Sequence, residues 1–162
     1  MIRLLMVPLV MLLTTDVALA ITPALTLILA ADKTVYTSGD RIALTIRLEN
    51  MSAQPLTINR RLAYPGPDLT VEITDPRGVR LRWLPPSPPP PVQESDFVQL
   101  HPGQQFQVRF PDIGRHLFDK LERAGDYQAK AMYRNTDTGA QWNSSAWTGS
   151  LESPVIIFRW GG

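Results

Sequence analysis

From Ile42 to Glu49 the chain alternates strictly. Ile42, Leu44, Ile46 and Leu48 take one set of positions, and Ala43, Thr45, Arg47 and Glu49 take the other. Successive side chains of a strand point to opposite faces, so this spacing gives one dry face and one wet face. On a helix the same residues would spread their apolar groups around the axis, and no buried stripe would form. The rhythm recurs. Leu69, Val71 and Ile73 alternate with Thr70, Glu72 and Thr74, and Val79, Leu81 and Trp83 alternate with Arg80 and Arg82. Between those two runs lies Asp75-Pro76-Arg77-Gly78, with proline second and glycine fourth as a tight turn requires, so the pair reads as a hairpin.

The rest of the chain continues in short pieces. Leu25–Leu29 reads as a first strand, Val35-Tyr36 leads into a Ser38-Gly39-Asp40 turn, and Leu56–Asn59 forms another strand. Phe97–Leu100 is followed by a His101-Pro102-Gly103 turn and by Phe106, Val108 and Phe110 at alternate positions. Tyr127, Ala129, Ala131 and Tyr133 share a face, and Val155–Trp160 is the last strand. Leu84–Val92 holds Pro85, Pro86 and Pro88–Pro91. With so few backbone donors it can join neither a ladder nor a helix, and it is expected to run as polyproline II. Residues 111–124 are the one helix candidate, stopped by Gly125. Roughly eight or nine short strands, spaced by glycine and proline turns and without a βαβ rhythm, predict an all-β fold. The expected architecture is a two-sheet Greek-key sandwich with one short helical turn.

Two groups of residues resemble immunoglobulin-like domains, in particular the exported macroglobulin-like sandwiches of bacteria. The first is Asp32-Lys33-x-x-Tyr36-x-x-Gly39-Asp40 followed by Ile42-x-Leu44-x-Ile46, similar to the opening turn and second strand of such domains. The second is Leu121 with Gly125-Asp126-Tyr127-x-Ala129, similar to a tyrosine corner, which implies a structural role for the Tyr127 hydroxyl. With the Leu100-x-Pro102-Gly103 turn these features span most of residues 25–160. The chain has no cysteine. It therefore departs from antibody-type domains, which carry a disulfide, and from thioester-bearing macroglobulins.

The start of the chain sets its expected location. Met1-Ile2-Arg3 precedes an apolar run from Leu4 to Leu13, and Ala18-Leu19-Ala20 supplies a small-x-small site. This is the order of a secretory signal peptide, expected over residues 1–20, with the domain over 21–162. As a helix the run reaches about 15 Å, against roughly 30 Å of bilayer hydrocarbon, so no stable membrane span is expected after cleavage. Asp16 lies close to the apolar run, and retention as an anchor is the other reading. No cysteine is present to carry a lipid. The expected location is the periplasm or the extracellular space.

The charges balance, with 16 lysines and arginines against 15 aspartates and glutamates, which gives no footprint for nucleic acid. His101 and His116 are the whole histidine complement, too few to suggest a zinc site. Asp32, Asp40, Asp75, Asp112, Asp126 and Asp137 lie near turns, but none has the density of a calcium loop, and turn chemistry is the simpler role. No Gly-x-Ser-x-Gly occurs. No catalytic residue, cofactor or metal site is expected, and the chain reads as a non-enzyme.

Two features remain for contact with a partner. Trp142 and Trp147 lie in a polar stretch and could either stack on sugar or protein, or close an end of the sandwich. Pro88, Pro89 and Pro90 belong to the rigid loop. The resulting expectation is a binding or structural domain of the cell envelope, meeting another envelope or extracellular protein. A peptidase inhibitor presenting a rigid loop and a carbohydrate-binding module are the alternatives. Convergence of residues 84–96 with 135–150 on one surface would favour a binding face. Asn50-Met51-Ser52 and Asn143-Ser144-Ser145 both fit the glycan acceptor pattern.

Overall fold

The computed structural model describes residues 23–62, 68–83, 90–117 and 119–161. The signal peptide expected over residues 1–20 lies outside them, as do Pro88 and Pro89. The architecture is all-β, with several largely antiparallel sheets packed against one another. Strand β1 (Leu25–Ala31), β3 (Leu44–Asn50) and β7 (Gln105–Phe110) form one sheet in the order β1-β3-β7. Their register lines the apolar positions into rows, Leu27–Leu48–Phe106 and Leu29–Ile46–Val108. Each row presents one face to the core, which is what the period-two spacing demands.

The second sheet has β8 (Gly125–Asn135) at its centre. β5 (Leu69–Thr74) pairs with one edge of β8, and β9 (Gly149–Glu152) and β10 (Ile156–Trp160) pair with the other. β2 (Val35–Tyr36) adds to β10 in parallel. The side chains of Ile73, Ala129 and Ile156 stand in one row. Tyr127 stacks on Phe158 at 5.6 Å between ring centres, and Phe158 meets Tyr36 edge-on at the same separation. A short separate ladder joins β4 (Leu56–Asn59) to β6 (Phe97–Leu100).

β9 and β10 run along one edge of β8 with an interruption. Between the pairs Met132–Glu152 and Ala129–Ile156, the two β8 residues Lys130 and Ala131 face Ser153, Pro154 and Val155. The extra residue makes a bulge, the place where an internal proline is tolerated. Ser153 repairs the ladder there. Its backbone N–H donates to Ala131 O at 2.9 Å, and its hydroxyl oxygen accepts from Ala131 N at 3.0 Å.

The hairpin after β5 is shorter than its sequence suggests. The turn is present, with Gly78 N donating to Asp75 O and Leu81 N to Ile73 O. After Leu81 the return segment leaves β5, and Trp83 bridges to Leu117 instead. The cause is Asp119, whose carboxylate accepts from Arg82 N at 2.8 Å and receives the Arg82 guanidinium at 2.7 Å. The helix candidate at 111–124 is a 3-10 turn, Ile113–His116, capped by Asp112 accepting from Gly114 N. Further 3-10 turns occupy Glu94–Asp96 and Ala140–Trp142.

The first group of residues behind the immunoglobulin-like resemblance forms one hydrogen-bonded knot. The Tyr36 hydroxyl donates to Asp32 Oδ1 at 2.5 Å, and Lys33 Nζ meets Asp40 Oδ1 at 2.6 Å. Asp40 also accepts from the N–H and hydroxyl of Thr37. Gly39 holds φ +93° at the corner, a conformation that favours glycine. Burial and the Asp32 carboxylate push the Tyr36 phenol well above its ordinary value.

Candidate interaction site

The far end of β8 is organised by two buried asparagines. Asn59 and Asn135 are each 1% exposed. Asn59 Nδ2 donates to Asn135 Oδ1 at 3.3 Å, and Asn59 Oδ1 accepts from Arg61 N. Asn135 Nδ2 donates to Asp137 O and to Trp147 O, at 2.9 and 2.6 Å. The Tyr133 hydroxyl donates to Asn59 O at 2.7 Å, and burial pushes this phenol far up as well. Buried amides are tolerated only when satisfied in this way. Here their satisfaction fixes where the 59–62 and 135–147 segments leave the sheets.

Arg60 N donates to Asp96 O, and Arg61 Nη2 donates to Pro90 O at 2.8 Å. The described end of the proline-rich segment is thereby tied to the residues after β4. Phe97 opens β6 and lies against Trp142, with ring centres 5.7 Å apart. Gly139 has φ +71°, and a methyl group there would stand 3.0 Å from the Phe97 ring. Residues 90–97 and 139–142 thus meet on one end of the molecule.

The two tryptophans have different roles in this end. Trp147 stacks on Tyr133 at 6.0 Å and packs against the core, and its backbone N–H donates to Thr57 O. It closes the sheets. Trp142 is half-buried on the last residue of a 3-10 turn and touches Phe97. Pro90 is exposed. Asp68 also belongs here, 3.7 Å from Arg61, and burial pushes its carboxyl up despite that arginine. Nothing in the hydrophobic pattern distinguishes Asn59 and Asn135 from turn residues. Their only sequence signal is a position at the end of an apolar strand.

The remaining candidates lie elsewhere. The Tyr127 hydroxyl donates to Arg123 O at 2.9 Å, at the opposite end of β8. His101 is exposed in the turn after β6, and His116 ends the Ile113–His116 turn. The loop aspartates spend their oxygens locally: Asp75 accepts from Arg77 N and Val79 N, Asp137 from Gly139 N, and Asp126 binds Arg159. Among the described residues no group of three or more His, Asp or Glu side chains is placed to hold a metal ion. Among them, too, no helix is long and apolar enough to cross a membrane. Asn50 has 0% exposure and donates to both Gln54 O and Leu100 O, so its amide is unavailable to a glycan in the folded chain. Asn143 is exposed.

No protein-family model and no curated protein matches this chain. Among solved structures, it is similar to the alkylpurine DNA glycosylase AlkC of Pseudomonas fluorescens, bound to DNA containing an abasic site analog. The TM-score is 0.38 and the identity 14%, over 86% of this chain. The chain spans 31% of the length of that protein.

Proposed function

We propose that this chain is a non-catalytic, exported domain of the cell envelope, and that it works through protein contacts at the Trp142 end. In this reading residues 21–162 form an immunoglobulin-like Greek-key sandwich, delivered to the periplasm or beyond by the leader at 1–20. The observation that carries it is the meeting of Phe97 with Trp142. It gathers residues 90–97 and the polar 139–142 turn on one end, where a half-buried aromatic and an exposed proline are offered together. Such an anchor beside prelocked backbone suits a protein partner, because little freedom is lost on binding. Trp147, stacked on Tyr133, is withdrawn from the pair that a sugar platform would need.

Site-specific photo-crosslinking in cells tests this reading. A photoreactive residue at Pro90 should trap a discrete partner, and one at Arg47, on the β1-β3-β7 sheet, should not. No adduct from Pro90, or the same adduct from both positions, would overturn it. The Arg61–Pro90 hydrogen bond also favours the peptidase-inhibitor alternative, since an inhibitory loop must be held rigid. Titration against serine and metallo-proteases separates the two readings.

A further inference from the structure

A different surface lies along β1. Two bonds at the ends of the β1–β3 ladder fix its phase: Met51 N donates to Ala24 O at 2.9 Å, and Asp32 N donates to Ala43 O at 3.1 Å. In an antiparallel ladder alternate residues bond across the pair, so Thr26, Ile28 and Ala30 spend their backbone groups on β3. The N–H and C=O groups of Leu25, Leu27 and Leu29 point the other way. β1 ends its sheet on that side, and none of these groups has a backbone partner among the described residues. A row of unpaired donors and acceptors is a template for another strand. Natural edges are blunted by charge, proline or a bulge, and Leu25–Ala31 contains none of these.

Beside this edge lies an apolar groove of about 390 Å³, lined by Pro23, Leu25, Leu27, Met51, Leu151 and Pro154. Its far wall is β9 and the bulge that follows it. That wall offers β1 no continuous ladder, because the bulge interrupts its edge and Pro154 has no N–H. Met51 is 47% exposed and Leu151 is only partly buried, so apolar surface stays open along the groove.

The ladder dictates the pattern of an occupant. A strand added antiparallel to β1 sets alternate residues directly opposite Leu25, Leu27 and Leu29, with side chains on the same face as these leucines and toward the groove. Those residues must be apolar. The residues between them stand on the outer face, next to Thr26 and Ile28. Thr26 lies opposite Glu49 of β3. Two strand spacings from the added strand to Glu49 come to about 9.6 Å, within reach of a lysine or arginine laid across the short threonine. Glu49 makes no ion pair among the described residues. Arg47, its neighbour on that face, donates to Gln105, and Lys130 pairs with Glu152, the other acid of the groove. A second copy of the chain fits less well, because β1 has no basic residue to offer and would bring another Glu49 to the seam. We propose that the β1 edge takes up, as an added antiparallel strand, an extended segment of a partner protein with apolar residues at alternate positions and a basic residue between them. This contact is independent of the one at Trp142.

The test is fluorescence anisotropy of the full chain with a labelled heptapeptide that has valine at its odd positions, arginine at the centre and threonine at the other two. Saturable binding is expected. Methylating the amide nitrogens of the third and fifth residues, which face β1, should weaken binding at least tenfold. Methylating those of the arginine and the second threonine, which face away, should leave it unchanged. Glutamate in place of the arginine should weaken binding severalfold, and Glu49→Gln should remove that difference between the two peptides. Failure of the arginine peptide to bind, or equal loss from both methylated forms, would overturn the proposal. A concentration-dependent dimer in sedimentation that the peptide dissociates would overturn it in favour of a second copy.

Discussion

The Asn59 amide donates to Asn135 Oδ1 inside the protein, and each of these side chains also bonds to the backbone of a neighbouring loop. Asn135 holds the carbonyls of Asp137 and Trp147 at once, so it determines where both ends of the 137–147 loop sit. Asn135→Ala should lower stability by about 1–3 kcal/mol, because partly buried acceptors lose their donors. Asn59→Ala should cost less, and the double variant should be less damaging than the sum, since the residues share a bond. Urea unfolding followed by tryptophan fluorescence reads both effects. Additivity of the two changes would show that the pair is not coupled.

Ser153 is a second polar side chain that completes a sheet. At the bulge opposite Ala131 its hydroxyl oxygen takes the Ala131 N–H, and its proton goes to Pro154 O. Ser153→Ala should orphan a buried N–H and cost about 1–3 kcal/mol. Amide exchange at Ala131 should accelerate more than at the neighbouring ladder positions. Ser153→Thr, which keeps the hydroxyl, should retain most of the protection. Equal exchange at Ala131 in the alanine variant would show that the ladder closes without the side chain.

Residues 44–49, 69–74 and 125–135 were legible because period-two burial is a local property that survives any topology. Leu44, Ile46 and Leu48 are buried as the spacing requires, and so are Tyr127, Ala129, Ala131 and Tyr133, but Ala43, expected on the wet face, is buried beside Ile42 because the strand begins only at Leu44. What was not legible depends on meetings between distant segments. The return strand at 79–83 has the right alternation but is drawn off by Asp119, a residue in the stretch that reads as a helix. β9 hides in a polar sequence because it is a short edge strand with little to bury. The parallel pairing of β2 with β10 leaves no local trace.

Acid should destabilise this protein through several carboxylates at once. Lys33 and the Thr37 donors hold Asp40 down to about 2 from its usual value near 3.8. Arg82 lowers Asp119, Arg159 lowers Asp126, and the Val79 N–H lowers Asp75. A depressed carboxylate stabilises the fold above its unfolded value, and that contribution is lost as pH falls through the folded value. The urea midpoint should therefore fall between about pH 4 and pH 2. Asp40→Asn should lower stability at neutral pH and flatten part of that fall. Asp68 has the opposite sign, because burial raises it. Its contribution is present below the unfolded value and lost as pH rises, so Asp68→Asn should stabilise the chain at neutral pH. An unchanged acid limb in Asp40→Asn would show that the Lys33–Asp40 contact carries no pH dependence.

Gly125 sits where the β5 turn meets the start of β8. Its φ is +139°, and a methyl group built there would lie 2.7 Å from Cγ and 2.9 Å from Cβ of Pro76. An L side chain rarely adopts that φ, and the stiff proline ring cannot swing aside. Gly125→Ala should cost more than about 1–3 kcal/mol, the usual range for a strained backbone position, because the steric clash adds to it. Replacing Pro76 with glycine as well removes the clash and leaves the strain, so the double variant should recover part of the loss. Calorimetry on the single and double variants reads both effects. Wild-type stability in the single variant would show that the turn yields and that Pro76 does not brace β8.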